Sequence, residues 1–213
     1  MTTAETKPHK SETGGAAASR DPLDVAVELF RSRGYENASV EDLVKATGLN
    51  RYALYQRFGG KREVFLAALE RFHRVMSDRM MAALSEPGAS PLEAVRNCFH
   101  AFVDEDSGDF DKPASCLICN AAVEAAPGDA EIAARVNAYF DEIRQTFAAV
   151  LARAQGAGEA RRDMSPQAGA GSLVNAIIAI GVQARAGASP DKLHRIVDEA
   201  ISLLLESDTQ KRS

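Results

Sequence analysis

The sequence has no strand pattern, no basis for a disulfide framework and no apolar segment near its N-terminus. None of its 213 residues fall in a convincing alternation of apolar and polar side chains, so strands are not expected. Three cysteines, an odd number without a targeting segment, favour free thiols in a reducing compartment. We therefore expect a cytoplasmic protein.

Long apolar runs are missing too. The most apolar stretch, residues 171–184, contains three polar residues and is too short to cross a bilayer. Hydrophobic residues make up 46% of the chain and charged residues 26%, the usual balance of one moderate or two small globular domains. The sequence thus predicts no membrane partner.

An excess of basic residues is also absent. The formal net charge of −5 argues against a protein that coats nucleic acid by charge alone. Charge is unevenly distributed, however. Residues 20–74 contain ten Lys and Arg against eight Asp and Glu, whereas the residues from 75 onward contain 13 against 20. A mildly basic N-terminal third on an acidic remainder indicates two parts with different tasks.

Helical patterns cover nearly everything after residue 20, and we predict an all-α fold of about nine helices. Residues 1–19 and 208–213 are expected to be tails, the first of them disordered. Proline and glycine fall between the helical patterns. We expect two domains, residues 20–66 and residues 67–207. The expected helices are 21–33, 40–47, 51–56, 60–84, 91–105, 114–125, 129–155, 166–186 and 190–206.

The stretch GLNRYALYQRFGGK, residues 48–61, places two tyrosines and two arginines on one short helix. Ser39, with Asp42 three residues later, predicts a capping box at the start of the helix before it. Gly48 permits the sharp turn between the two helices, and Asn50 caps the second. Two short helices joined in this way are typical of a helix-turn-helix, whose second helix reads the major groove of DNA.

Leu49 and Leu54 are expected to anchor the second helix, which leaves its polar and aromatic side chains outside. We expect side chains at the start of this second helix to contact base edges. Phosphate contacts are expected from the end of the same helix, from the start of the fourth helix and from the residue that caps the first short helix. The candidate DNA-binding residues are Ser39, Asn50, Arg51, Tyr52, Tyr55, Arg57 and Lys61. The alternative is an ordinary helical hairpin with a solvated polar face.

Residues 26–65, AVELFRSRGYENASVEDLVKATGLNRYALYQRFGGKREVF, resemble the DNA-binding domain of the TetR/AcrR family of bacterial transcriptional regulators. The matching positions include Leu29-Phe30, Gly34-Tyr35, Ser39-Val40, Leu43-Val44, Ala46-Thr47-Gly48-Leu49, Leu54-Tyr55, Phe58 and Lys61. Asn50 and Arg57 depart from the commoner residues. The resemblance implies a homodimeric repressor that binds a palindromic double-stranded operator. It also implies a helical C-terminal domain that dimerises and binds a small-molecule inducer. Neither a cofactor nor an enzymatic activity is expected.

The last two predicted helices carry more apolar surface than one chain is expected to bury. The family pattern favours a four-helix dimer interface made from both copies of this pair. Its candidate residues are Leu173, Ile177, Ile178, Leu193, Val197 and Ile201. The alternative is that both helices are central helices of their own domain.

The inducer site is expected between the long fourth helix and the helices after it. Candidate lining residues are Met76, Met80, Phe99, Phe102, Cys116, Asn120, Tyr139 and Phe140. Each of them is also well suited to simple core packing, since apolar residues at helical spacing usually pack.

Residues 114–135 resemble a segment in one branch of the family in which a cysteine senses electrophiles or oxidants. By this resemblance that cysteine would be Cys116. A thiol at a helix N-terminus also has a lowered pKa and is more nucleophilic. Cys119 is a candidate resolving thiol, Cys98 is a further candidate, and plain buried cysteines are the alternative. A zinc site from Cys98, His100, Cys116 and Cys119 lacks the usual paired ligands, so no metal is expected. A dithiol oxidoreductase is disfavoured because no strand–helix alternation surrounds the motif.

Overall fold

The computed structural model describes residues 20–106 and 116–205. Within these two ranges the regular structure is helical, apart from one isolated bridge between Ala160 and Leu205. The prediction of an all-α fold is confirmed for this part of the chain. The predicted tails, residues 1–19 and 208–213, lie outside the described residues.

Nine α-helices and one short 3-10 helix follow one another in the described ranges. They are α1 (Pro22–Arg33), α2 (Val40–Thr47), α3 (Arg51–Phe58), α4 (Lys61–Leu84), α5 (Pro91–Asp106), α6 (Leu117–Glu124), α7 (Ala130–Gly156), α8 (Pro166–Arg185) and α9 (Pro190–Ser202), with the 3-10 helix Ala126–Gly128 before α7. The predicted bounds agree within two residues except at two ends. The helix α6 begins at 117 instead of 114, and α9 ends at 202 instead of 206. The chain leaves α9 early because the carbonyl of Leu204 accepts a hydrogen bond from the amide of Arg161, at 3.0 Å.

Local capping sets the bounds of the first helices, as the sequence predicts. The side chain of Asp21 accepts a hydrogen bond from the amide of Leu23 at the start of α1. Ser39 and Asp42 form the predicted capping box: Oγ of Ser39 accepts from the amide of Asp42 at 3.1 Å, and the Asp42 carboxylate accepts from the amide of Ser39 at 3.0 Å. Gly48 ends α2 at a φ of 71°, a left-handed conformation that favours glycine.

An aromatic cluster fastens the first three helices to α4. Phe30 of α1 and Phe65 of α4 are buried and meet edge to face, with ring centroids 4.9 Å apart. The ring of Tyr35 lies 4.6 Å from that of Phe65. Leu43 of α2 and Leu54 of α3 are also buried in this core. These contacts fix the position of α3 and leave its opposite side in solvent.

The apolar core continues from this cluster into the later helices, and α4 belongs to both halves. The helix α7 packs along α8, while α9 packs against both α5 and α8. The predicted division after residue 66 therefore falls inside a helix.

The helix α8 has 20 residues and, by length and composition, could cross a membrane. The apolar run of residues 171–184 lies within this helix, which extends beyond the run at both ends. One such helix is weak support for a membrane span, since core helices pass the same test. Leu173 and Val174 are buried against the rest of the chain, and α8 packs between α7 and α9.

Burial within the chain corrects the predicted dimer interface. Four of its six candidates, Leu173, Leu193, Val197 and Ile201, are buried in their own chain and have almost no surface left for a partner. Ile177 and Ile178 are half-buried. The apolar stripes of α8 and α9 face the core of their own chain. On the outer side, Val182 and Leu203 keep 52% and 61% of their surface exposed.

Candidate DNA-binding surface and ligand cavity

The helix α3 has one buried anchor and an exposed aromatic and cationic face. Leu54 is buried, whereas Tyr52 and Tyr55 are 74% and 46% exposed. The side chain of Asn50 caps the helix by accepting a hydrogen bond from the amide of Ala53, at 2.8 Å. Exposure of two tyrosines on one short helix is typical of a surface that binds a partner.

The two arginines of α3 take part in surface ion pairs. Arg51 is paired with Glu41 of α2, and Arg57 is paired with Asp21 at 3.4 Å. All four side chains are well exposed. Exposed ion pairs contribute at most about 1 kcal/mol, so a DNA phosphate or a guanine edge can displace either carboxylate at low cost.

Ser39 and Lys61 lie at the two ends of the motif, and both already have partners. The hydroxyl of Ser39 donates to the carboxylate of Asp42 at 2.7 Å and so uses its one proton. Donation to a phosphate would therefore require opening of the capping box. Lys61 Nζ lies 4.5 Å from the ring centroid of Tyr35 and donates to the carbonyl of Glu36 at 3.3 Å. Gly60, the residue before α4, gives the start of this helix no side-chain cap.

A cavity of about 680 Å³ lies between α1, α4, α5, α7, α8 and α9. Six of the eight predicted lining residues lie on its wall: Met76, Met80, Phe99, Phe102, Cys116 and Tyr139. Burial raises the pKa of Tyr139 well above its usual value, so its hydroxyl stays neutral in this wall. The volume is within the range of small-molecule sites, about 300–1,000 Å³.

Asn120 and Phe140 do not line this cavity, contrary to the sequence prediction. Asn120 lies on the side of α6 that faces α1, where its Nδ2 donates to the carbonyl of Arg31 at 3.3 Å. Phe140 packs against Tyr139, its neighbour in sequence, with ring centroids 5.7 Å apart. The spacing of residues along one helix does not show which side of it faces a cavity, because the other helices that enclose the cavity decide this.

Sequence reasoning missed several residues of the wall. Ile177 and Leu193, predicted for the dimer interface, line the cavity instead. The charged rim was also missed, and it consists of Arg20, Asp24, Glu28, Arg31, Arg71 and Arg79. Their spacing could have revealed this rim. The charged residues within α1 or within α4 are three, four or eight positions apart, and positions so spaced share one face of a helix. Arg20 lies just before α1.

Cys116 is the one cysteine on the cavity wall, and it precedes the first residue of α6. Its pKa is lowered chiefly by a hydrogen bond with the Cys119 thiol, against the effect of burial, and further by the backbone amides of Cys119 and Ile118. The Cys119 thiol, which donates, has a raised pKa. Burial raises the pKa of Cys98 to about 12.

The four residues weighed for zinc do not form a site. His100 packs edge-on against His194, with ring centroids 4.5 Å apart, and its Nε2 lies 3.7 Å from Asp198. In the part of the chain that the structure describes, no three His, Cys, Asp or Glu side chains form a group that could hold a metal ion.

The C-terminal end of α1 is held by three polar side chains from α6 and α8. Arg185 Nη1 donates to the carbonyls of Arg31 and Ser32, at 2.7 and 3.2 Å. The carboxylate of Glu124 accepts from the amide of Tyr35 at 2.7 Å. Asn120 bonds the carbonyl of Arg31 from the same side. The contacts of Arg185 join α8, which lines the cavity, to α1, the helix that precedes the helix-turn-helix. Those of Asn120 and Glu124 join α6 to the same end of α1.

Comparisons with known proteins agree with this architecture. Residues 23–68 match the model of bacterial regulatory proteins of the tetR family, and residues 91–200 match that of the tetracyclin repressor-like C-terminal domain. The chain is 32% identical over 183 residues to the HTH-type transcriptional regulator YezE of Bacillus subtilis, covering 85% of this chain and 93% of that protein. It is 30% identical over 191 residues to the transcriptional repressor ComR of Escherichia coli, covering 85% and 86%.

Solved structures share the fold. The regulator CifR, solved as a cysteine mutant with 26-base-pair operator DNA, is 26% identical with a TM-score of 0.74, over 87% of this chain and 97% of that one. Regulatory protein TetR from Rhodobacter sphaeroides is 20% identical with a TM-score of 0.80, over 87% and 97%. The chain belongs to the TetR family of bacterial helix-turn-helix transcriptional regulators.

Proposed function

We propose that the protein is a homodimeric repressor that acts in the cytoplasm, binds a palindromic operator and is released by a small molecule in the cavity. The observation that carries this proposal is the exposure of two tyrosines and two arginines on α3, a short helix that is anchored by the buried Leu54. In this proposal residues 20–66 bind DNA, and residues 67–207 bind the inducer and dimerise. The chain needs neither a cofactor nor a catalytic residue for this role.

The DNA contacts are assigned from position and exposure. Arg51 and Tyr52, in the first turn of α3, read base edges in the major groove, where arginine pairs with guanine through two hydrogen bonds. Tyr55 and Arg57 contact phosphates, as does Lys61 together with the uncapped amides of α4. Asn50 and Ser39 border this surface, and their main role is to cap α3 and α2.

The proposed dimer forms through the outer faces of α8 and α9. Ile178 and Val182 are one helical turn apart on α8, and Val182 is 52% exposed. Leu203, just after α9, is 61% exposed. A symmetric dimer through these faces would present two copies of α3, which suits a palindromic operator because half-sites mirror the two-fold symmetry of the protein.

The end of α1 is the proposed link between the cavity and DNA. A ligand that prefers a different separation of α1 and α8 would bias the contacts of Arg185 and Glu124 with the end of α1. The two recognition helices would then no longer match successive major grooves. This is a population shift, and it requires the ligand to bind the DNA-free state more tightly.

Fluorescence anisotropy with labelled DNA from the region upstream of the gene tests DNA reading. The wild type should bind it more tightly than scrambled DNA, and the preference should persist as salt is raised. Arg51→Ala should weaken specific binding by about tenfold to a hundredfold. Arg153→Ala, which changes an exposed arginine of α7, is the matched control and should bind as the wild type does. Equal binding by Arg51→Ala, Tyr55→Ala and the control would contradict the proposal.

Cys116 favours a second candidate function, a repressor that senses electrophiles or oxidants. The observation in its favour is a thiol with a lowered pKa on the cavity wall, with Cys119 as hydrogen-bond partner. N-ethylmaleimide should then release operator DNA from the wild type and leave Cys116→Ser bound. Release from both proteins would assign the effect to another residue, and release from neither would leave the non-covalent ligand as the inducer.

A further inference from the structure

The rim of the cavity carries charge on one side only. All six charged lining residues belong to α1 or α4, apart from Arg20, which lies two residues before α1. The lining residues of α5, α7, α8 and α9 are apolar apart from the hydroxyl of Tyr139. The described cavity is therefore amphipathic, with an apolar inner wall and a polar edge between α1 and α4.

Among the described residues, four arginines and two carboxylates line the polar edge, so this part of the edge is positive overall. Both carboxylates are already matched by an arginine. Asp24 accepts two hydrogen bonds from Arg71, at 2.8 and 3.1 Å, and Glu28 is paired with Arg31 at 3.2 Å. A cationic ligand would meet net repulsion at this edge, whereas an anion would meet net attraction.

We propose that the cavity binds an anionic amphiphile, a molecule with an apolar body and a carboxylate or sulfonate at one end. The apolar body lies against α5, α7 and α8, and the anionic group lies at the arginines between α1 and α4. This inference rests on the proposed function in taking the cavity as the ligand site.

The same arrangement supplies a reason why such a ligand would release DNA. The ion pair of Arg71 with Asp24 joins α4 to α1 across the cavity edge. An anionic group placed there competes with Asp24 for the guanidinium of Arg71. Weakening this ion pair acts on α1, the helix before the helix-turn-helix, whose C-terminal end is also contacted by Arg185 of α8.

A matched pair of fluorescent probes tests the ligand class. Anilinonaphthalene sulfonate and N-phenylnaphthylamine share one apolar body, and the sulfonate is the main difference between them. The wild type should bind the sulfonate more tightly, and raised salt should reduce this preference because it screens the charge. Decanoate should displace the bound sulfonate, whereas decanol at the same concentration should displace it less.

Charge variants at the edge should move the preference in opposite directions. Arg79→Gln should weaken sulfonate binding by about twofold to fivefold, the range for a solvent-exposed charge pair, and leave the neutral probe unchanged. Glu28→Gln should strengthen sulfonate binding by a similar factor. Arg74→Gln, which removes an exposed arginine of α4 away from the cavity, is the control and should leave the preference intact.

The outcomes separate this inference from the proposed function. A wild type that prefers the neutral probe, or variants that leave the ratio of the two affinities unchanged, would overturn the ligand class while operator binding stands. Displacement of the sulfonate by decanoate without release of operator DNA would support the ligand class and contradict the inducer role. Displacement together with release supports both.

Discussion

The proposed recognition helix α3 and the proposed ligand cavity differ in how far apart in the sequence their parts lie. The exposed face of α3 comes from residues 50–58, and its turn, cap and anchor lie within the same short stretch. The cavity wall takes residues from Arg20 to Leu193 and from six helices. A DNA-reading surface can thus be formed by one local motif, whereas the cavity depends on the packing of nearly the whole described chain.

Substitution of two aromatic residues in residues 20–66 should separate effects on stability from effects on DNA binding. Phe30 is fully buried, so Phe30→Ala should lower the free energy of unfolding by about 3–5 kcal/mol. Tyr52 is exposed, so Tyr52→Ala should change it by less than about 0.5 kcal/mol and yet weaken operator binding. Urea unfolding and DNA anisotropy on both variants measure the two effects. A stability loss of similar size in both would contradict the assignment of α3 as a binding surface.

Two glycines of α8 test how tightly the wall beside the cysteines is packed. A Cβ at Gly181 would lie 2.9 Å from Sγ of Cys119, so Gly181→Ala should destabilise the protein by about 1–3 kcal/mol. Gly171, on the same helix, has nothing within 4 Å of such a Cβ. Gly171→Ala should therefore be neutral or stabilise by up to about 1 kcal/mol. Thermal unfolding of both variants measures these stability changes. If Gly181→Ala is as stable as the wild type, then α6 and α8 can move apart at no cost.

Two N-cap residues test how much a local hydrogen bond contributes to helix stability. The side chain of Asn50 caps α3 with a hydrogen bond, so Asn50→Ala should cost about 1 kcal/mol. Ser189 precedes α9 without a capping hydrogen bond from its side chain, and Ser189→Ala should cost much less. Chemical unfolding of the pair measures the difference. Equal losses would mean that packing, and not the cap, defines the start of α3.

The smallest expected effect concerns the contact of α4 with α7. The guanidinium of Arg62 lowers the pKa of Asp129 to about 2. A carboxylate with a lowered pKa stabilises the fold above its unfolded-state pKa, and that contribution is lost as the pH falls through the folded-state value. Wild type should therefore lose stability relative to Asp129→Asn between about pH 4 and pH 2. Parallel stability curves for the two proteins across that window would contradict this.

Local signals account for what the sequence predicts well. The helix bounds near Asp21, Ser39, Gly48 and Asn50 follow from caps and turns that involve neighbouring residues, and the structure confirms them. The exposed tyrosines of α3 follow from one helical period. These features need no knowledge of distant contacts.

Long-range packing explains what the sequence does not predict. An apolar stripe on α8 or α9 shows that a face is buried, but not whether its own core, a cavity or a partner buries it. Leu193 lines the cavity and Val197 is in the core, although one stripe contains both. The charged rim joins Asp24 to Arg71, 47 positions apart, and no local pattern links such residues.

Selection of bound sequences from random double-stranded DNA by the full chain tests the central claim most directly. The account predicts enrichment of a palindrome whose half-site centres are separated by about 10–10.5 base pairs or a multiple of that spacing. It also predicts loss of that enrichment in Arg51→Ala and its persistence in Arg153→Ala. Recovery of no common sequence, or of the same sequence by Arg51→Ala, would contradict the reading of DNA by α3.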